Sequence, residues 1–135
     1  MSSSNESILQ STVITESGDG VAFSSLLEDL TLCIFLRHWG CTECNLLLHT
    51  LTPRLSELVE LHINILFVGL GSAEGISEFR SKHRLKKNRV VIVTDPTLSI
   101  HKKILNHIIY LILQIKNFKL MRLKNLKYFL NFTIK

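Results

Sequence analysis

Two cysteines, Cys41 and Cys44, are the residues of this 135-residue chain whose type and spacing most clearly favour chemistry. The apolar run at residues 32–36 just before them predicts a buried strand. Leucines recur at helical spacing after them, and this periodicity predicts a helix. The C-x-x-C spacing therefore places both thiols in the first turn of a helix that follows a central strand.

A helix start stabilises a thiolate, because unpaired N–H groups and the positive end of the helix dipole lie close to the sulfur. We therefore predict a lowered pKa for Cys41, which makes it the nucleophile. Cys44 lies one turn further on, within reach of a sulfenic acid or a mixed disulfide formed on Cys41. This arrangement predicts that Cys44 resolves the product to an intramolecular disulfide.

The turn between strand and helix supplies four supporting candidates, namely Arg37, His38, Trp39 and Gly40. Arg37 and His38 bring positive charge near the thiols, and His38 is also a candidate for proton transfer. Trp39 is a candidate apolar platform for a partner near the disulfide. The alternatives are an exposed imidazole at His38 and simple packing of Trp39 against the turn.

The cysteine pair has two other interpretations. Cys41 and Cys44 could be inert, half-buried thiols, because free cysteines are often small core residues, and this is the interpretation we favour for Cys33 inside the strand. A metal site would use His38, Cys41 and Cys44, with His49 as a fourth ligand. We expect no metal, because the chain offers no second ligand pair on a separate loop.

The elements that follow the pair alternate between strands and helices, which predicts a parallel α/β sheet with flanking helices. Pro53 predicts one kinked helix or two abutting helices. Gly69, Gly71 and Gly75 have nearly the spacing of a dinucleotide-binding loop, but we interpret them as a turn that lets strand meet helix. The strands are predicted at 32–36, 63–70 and 90–94, and the later helices at 73–83 and 97–105.

The sequence Arg37-His-Trp-Gly-Cys-x-x-Cys between strand and helix resembles the peroxiredoxin-like 2 branch of the AhpC/TSA proteins, within the thioredoxin fold. The similarity continues through residues 65–72 and 91–97, and it covers roughly residues 17–105. It implies a thioredoxin-like sheet with flanking helices. The family's closing strands should follow residue 105, but no Gly-rich turn appears there, so we expect these strands to be missing or replaced.

The resemblance implies a thiol–disulfide oxidoreductase or peroxiredoxin-like antioxidant enzyme that acts on a peroxide or a protein disulfide. A thioredoxin- or glutathione-type reductant would reset it, and no cofactor is required. Two departures limit the peroxidase interpretation. The P-x-x-x-T-x-x-C pattern of typical peroxiredoxins is missing before Cys41, and neither Pro53 nor Pro96 is placed like the thioredoxin cis-proline. The alternatives are a non-catalytic redox-sensing or protein-binding module and a truncated product with little activity.

Charge is distributed unevenly along the chain. Residues 1–95 hold 11 acidic and 8 basic residues, whereas residues 96–135 hold 8 basic residues and no acidic one. Because the positive charge belongs to the tail, we expect no nucleic-acid binding by the domain. We expect residues 106–135 to form a basic apolar helix or the end of a truncated domain, with binding to a membrane surface as a third alternative.

Residues 1–16 are rich in Ser, Thr and Glu, and we expect them to form a flexible polar leader before a single domain at 17–105. Val13 and Ile14 are candidates for a short edge strand. No basic and apolar signal peptide opens the sequence, and three cysteines do not make a secreted disulfide framework. We therefore expect a cytoplasmic protein.

Overall fold

The computed structural model describes residues 8–28, 30–88, 90–104, 109–114 and 118–122. Seven strands form a single sheet within these ranges. They are β1 Thr12–Thr15, β2 Gly20–Ala22, β3 Leu30–Phe35, β4 Asn64–Gly69, β5 Val90–Thr94, β6 Ile109–Gln114 and β7 Phe118–Arg122.

Parallel pairing joins the three central strands. β3 pairs with β4 and β4 with β5, whereas β1, β2, β6 and β7 add antiparallel strands on either side. The full order is β2-β1-β5-β4-β3-β6-β7. The predicted α/β sheet is confirmed, and the three central strands lie within one or two residues of their predicted positions.

Both faces of the sheet are covered, because successive side chains of a strand point to opposite sides. Leu32 and Ile34 of β3 belong to one core cluster, whereas Cys33 and Phe35 belong to a second. The first cluster contains the apolar residues of the helices after β3 and β4. The second contains Phe23 of the 3-10 turn Phe23–Leu26.

The predicted helix after the cysteines is two abutting helices. Helix α1 spans Thr42–Leu51, a 3-10 turn Thr52–Arg54 contains Pro53, and α2 spans Leu55–Glu60. Proline has no N–H to donate, so the helical hydrogen bonding changes there. The predicted apolar face is nevertheless continuous, because Leu48, Leu51, Leu55 and Leu58 are all buried.

The two later helices are shorter than predicted. Helix α3 spans Gly75–Lys82, and its N-cap is Glu74. Helix α4, His101–Ile104, begins four residues later than predicted. The delay has a local cause, because the Asp95 side chain accepts hydrogen bonds from backbone N–H groups at positions 99–101 and so organises a turn after β5.

The prediction of a helical tail is wrong for two segments. Ile109–Gln114 is β6 and Phe118–Arg122 is β7, and both are antiparallel strands. Branched and aromatic side chains suit strands, and β3 would have an unpaired edge in the middle of the fold without β6. The family's closing strands were expected to be missing or replaced, and the two antiparallel strands β6 and β7 occupy their place beside β3. The predicted helical contacts of Ile109, Ile112, Leu113 and Leu120, and the lysines of the membrane alternative, fall on side chains outside those described.

The prediction of a flexible leader over residues 1–16 is wrong for Thr12–Thr15. These residues form β1, which lies between β2 and β5 and is therefore not an edge strand. Val13 is fully buried, and it belongs to the second core cluster. None of the helices in the described ranges combines the length and the apolar character that crossing a bilayer requires.

Candidate active site

Cys41 and Cys44 lie at the junction of β3 and α1, as the sequence predicted. Cys41 is the N-cap of α1, and its carbonyl accepts the hydrogen bond of Asn45 N–H at 3.0 Å. Cys44 follows on the same turn of helix, and no disulfide joins the two thiols. Local geometry therefore places two thiols next to each other at a helix start.

Both cysteine side chains are nearly covered by their neighbours. Cys41 is 5% and Cys44 is 4% exposed, and both belong to the core cluster beneath the helices. Both side chains are therefore largely shielded from solvent.

The pKa of the Cys44 thiol is raised to about 11, chiefly by burial. The neighbouring Cys41 raises the pKa further, whereas the hydrogen bond from Arg37 N–H and the Arg37 charge lower it. The Arg37 N–H lies 3.3 Å from Cys44 Sγ. At neutral pH Cys44 is thus a protonated thiol whose sulfur accepts a hydrogen bond from Arg37 N–H. The predicted lowering of the Cys41 pKa stays a prediction.

The four supporting candidates separate into two groups. Arg37, His38 and Gly40 are exposed at the turn, and the Arg37 backbone rather than its guanidinium contacts Cys44. Trp39 is half-buried and turns away from the solvent. The turn is held by a hydrogen bond from Cys41 N–H to the His38 carbonyl at 3.1 Å.

Trp39 lies in a cradle made by Gly69, Gly71 and Gly75. A Cβ at any of these three positions would overlap the indole ring, so only glycine allows the ring to approach. The indole N–H donates to the Ser72 carbonyl at 2.9 Å, and the Phe79 ring lies 5.0 Å away between centroids. The glycine spacing after β4 is therefore explained by Trp39, a role that the sequence analysis missed.

A groove of about 230 Å³ opens between the turn before α1 and helix α3. Trp39 and Phe79 form its apolar part, Gly40 and Gly75 its backbone part, and Glu78 and Lys82 its charged rim. Gly40 directly precedes Cys41, so the groove lies next to the predicted nucleophile in the chain. Its mixed lining suits a peptide segment or a small organic molecule.

A buried polar cluster on the other side of β3 was not predicted. Asp95 is fully buried and accepts hydrogen bonds from Ser99, Ile100 and His101. His101 Nδ1 lies 3.0 Å from Asp95 Oδ2, and its Nε2 lies 2.9 Å from the Leu36 carbonyl oxygen. The sequence signal was Asp95-Pro96 followed by Ser99 and His101, but the link back to β3 depends on tertiary structure.

Cys33 is a core residue, as predicted. It is fully buried in β3, and burial raises the pKa of its thiol far above the usual range. In the part of the chain that the structure describes, no three His, Cys, Asp or Glu side chains converge as metal ligands would. His38 and His49 are both exposed.

No family model matches the chain, and no curated protein matches it in sequence. Solved structures do match. Peroxiredoxin Q from Xanthomonas campestris superposes with a TM-score of 0.70 at 12% identity, covering 96% of this chain and 90% of that one. A secreted disulfide oxidoreductase of Mycobacterium tuberculosis gives 0.61 at 18% identity, covering 87% and 84%. A thiol peroxidase from Chromobacterium violaceum gives 0.61 at 19% identity, covering 84% and 72%.

These matches agree with the resemblance found in the sequence. All three structures are similar over most of the chain. Their low sequence identity shows a shared fold and no more. The chain has the thioredoxin-like fold that peroxiredoxins and disulfide oxidoreductases share.

Proposed function

We propose that this protein is a thiol-dependent oxidoreductase that uses Cys41 as nucleophile and Cys44 as resolving thiol. The observation that carries the proposal is the placement of the pair, with Cys41 at the N-cap of α1 and Cys44 on the same turn facing the Arg37 N–H. A thiolate is stabilised at such a helix start, and two thiols on one turn are close enough to pair.

With a disulfide substrate, the Cys41 thiolate attacks one sulfur, and a mixed disulfide forms as the first substrate thiolate leaves. Cys44 then loses its proton and attacks Cys41 Sγ, which releases the second substrate thiolate and leaves the Cys41–Cys44 disulfide. Two electrons pass to the substrate. The raised pKa of Cys44 fits this order, because Cys44 remains protonated until it is needed.

Peroxide reduction is the second candidate, and the similarity to peroxiredoxin Q and the thiol peroxidase favours it. Here Cys41 attacks the O–O bond, one oxygen stays on sulfur as sulfenic acid, and the other leaves as alcohol or water. Attack by Cys44 then expels water and forms the same disulfide. A peroxide is small, so it suits thiols that are nearly covered.

The groove beside Gly40 is the proposed docking place for a larger substrate or for the reductant. Trp39 and Phe79 would contact apolar side chains, and Glu78 and Lys82 would contact polar ones. We propose a dithiol of thioredoxin type or glutathione as the reductant, because the cycle ends in a disulfide that needs two electrons. A cytoplasmic location stays a prediction from cysteine usage.

Alkylation and intact-mass analysis across a graded glutathione redox buffer test the proposal. We expect Cys41 and Cys44 to become resistant to alkylation together, because they form one reversible disulfide. Cys33 should be alkylated only after unfolding. The Cys41→Ser and Cys44→Ser variants are matched controls, and each should form mixed disulfides with glutathione but no intramolecular bond. Three thiols that alkylate alike, with no Cys41–Cys44 bond in any buffer, would overturn the mechanism.

Turnover assays then separate the two substrates. The reduced protein is mixed with hydrogen peroxide or with a protein disulfide, and dithiothreitol serves as reductant. If the wild type forms the disulfide and turns over a substrate, and Cys41→Ser has lost that turnover, the result would favour the oxidoreductase. A disulfide that forms without turnover of either substrate would instead favour the redox-sensing module.

A further inference from the structure

His101 lies between two hydrogen-bond acceptors. Its Nδ1 faces Asp95 Oδ2 at 3.0 Å, and its Nε2 faces the Leu36 carbonyl oxygen at 2.9 Å. A carboxylate and a carbonyl can only accept, so both ring nitrogens must donate for both contacts to be favourable.

The fold stabilises the ionised form of Asp95. Burial would raise its pKa, but hydrogen bonds from His101, Ile100 and Ser99 outweigh burial and lower it to about 2. Asp95 is completely buried, and the His101 side chain is 16% exposed. The Asp95 carboxylate is therefore shielded from water, where its charge acts strongly on neighbouring groups.

The Leu36 carbonyl and the Arg37 N–H belong to one peptide unit. The carbonyl end accepts from His101, and the N–H end donates to Cys44 Sγ at 3.3 Å. A donor on the carbonyl oxygen shifts electron density toward oxygen and makes the N–H of the same unit a stronger donor. A continuous chain of hydrogen bonds thus runs from Asp95 through His101 and this peptide to the sulfur of Cys44.

We propose that His101, held by Asp95, is a positioning residue that strengthens the hydrogen bond from Arg37 N–H to Cys44 and so stabilises negative charge on that sulfur. The inference rests on the proposed function. It concerns two steps, the attack of Cys44 on Cys41 and the reverse cleavage. In the latter a reductant thiolate attacks Cys41 Sγ, the S–S bond breaks, and its electron pair goes to Cys44 as the leaving thiolate.

Few other described groups act on this chain. The ring of Phe35 meets His101 edge to face at 5.6 Å between centroids, and it carries no charge. Cys44 also senses the Cys41 side chain and the Arg37 charge, which act on its sulfur directly and not through the peptide. Replacing His101 therefore changes one contribution and leaves these two in place.

The test measures alkylation of Cys44 by iodoacetamide from pH 7.5 to 10 in a Cys41→Ser background, with the modified residue identified by peptide mass spectrometry. We expect His101→Gln to slow the alkylation of Cys44 about threefold, because the neutral amide offers the Leu36 carbonyl a weaker donor. Ser99→Ala is the matched control, since it removes a hydrogen bond to Asp95 without touching His101 or Leu36. It should react like the parent.

Equal rates in the parent and His101→Gln would overturn the inference, and so would an equal slowing in Ser99→Ala. Neither outcome requires a Cys41–Cys44 disulfide, so this test fails separately from the proposed function. If His101→Gln does not fold, ¹⁵N spectra of histidine-labelled wild-type protein decide. We expect His101 Nε2 to carry the proton that it donates to the Leu36 carbonyl, and an Nε2 without a proton would overturn the chain of donors.

Discussion

The indole N–H of Trp39 donates to the carbonyl oxygen of Ser72 at 2.9 Å, so the loop after β3 is tied to the loop after β4. Trp39 is two residues before Cys41, and Ser72 lies in the glycine-rich turn. The position of the candidate nucleophile therefore depends on a contact between the loops that follow two neighbouring strands. Replacement of the glycines under the ring should move the loop that carries Cys41.

Gly71→Ala tests this dependence. The new Cβ would overlap the indole ring, so Trp39 must leave its cradle. We expect a loss of about 1–3 kcal/mol in the free energy of unfolding, as for other overpacked sites. Trp39 is the chain's one tryptophan, so its fluorescence emission should shift to longer wavelength.

Gly40→Ala is the control for that experiment. It lies in the same loop, but its Cβ would meet only the His38 ring at an ordinary distance of 3.6 Å. Its emission spectrum should match the wild type. Identical spectra for Gly71→Ala and the wild type would show that the ring does not occupy the cradle in solution.

Asp95 should make stability depend on pH. Its folded pKa of about 2 lies below the ordinary value of 3.8, so the unfolded chain takes up the proton first as the pH falls. The contribution of Asp95, about 2 kcal/mol, is therefore complete above about pH 5 and is lost toward pH 2. Urea unfolding of wild type and Asp95→Asn between pH 6 and pH 2.5 measures it.

We expect the gap in stability between these two proteins to narrow as the pH falls. Asp19→Asn is the comparison variant, because Asp19 is exposed in the turn before β2 and bonds only locally to Ser17 and Thr15 among the contacts described. A constant gap between wild type and Asp95→Asn across the range would contradict the assignment.

Ile112→Pro tests whether β6 belongs to the domain. Ile112 pairs with Thr31 of β3 on one side and with Leu120 of β7 on the other. Proline there removes a backbone donor from the interior of a sheet. We expect a marked drop in the urea midpoint, larger than in Ile112→Ala, which keeps the backbone donor. Equal urea midpoints for the two variants would show that β6 does not unfold cooperatively with the rest of the domain.

Cys33 should behave as part of the core. It is fully buried in β3. A serine hydroxyl at this position would give up its hydrogen bonds to water, and the site was not built to replace them. We expect Cys33→Ser to cost about 1–3 kcal/mol in the free energy of unfolding, more than Cys33→Ala. Turnover and the Cys41–Cys44 disulfide should survive in Cys33→Ala. Loss of that disulfide would assign Cys33 a role in the chemistry.

Much of the centre of the fold could be predicted, because its signals are local. β3, β4 and β5 are short apolar runs, and the leucine spacing across Pro53 marks one buried face even though the helix divides there. The position of Cys41 and Cys44 followed from strand, turn and helix in direct succession. None of these inferences required knowledge of which segments meet in space.

The predictions that failed all depended on contacts between segments that are distant in the sequence. Ile109–Gln114 reads equally well as an apolar helix, and only the open edge of β3 selects the strand. Gly71 looks like part of a turn until Trp39 is placed over it. His101 looks like a surface residue until the turn after β5 brings it to the Leu36 carbonyl. In each case the partner lies more than 30 residues away in the sequence.

The order in which β3 meets its neighbours has a consequence for synthesis. β3 pairs with β4 on one side, but on the other it pairs with β6, whose residues follow some 80 positions later. At roughly 5–20 residues per second, a ribosome needs about one to four seconds to pass from the end of β5 to the end of β6. Throughout that interval one edge of the apolar strand β3 lacks its partner, next to the turn that carries the two thiols. A chaperone that shields this edge would protect the growing polypeptide from both aggregation and premature oxidation.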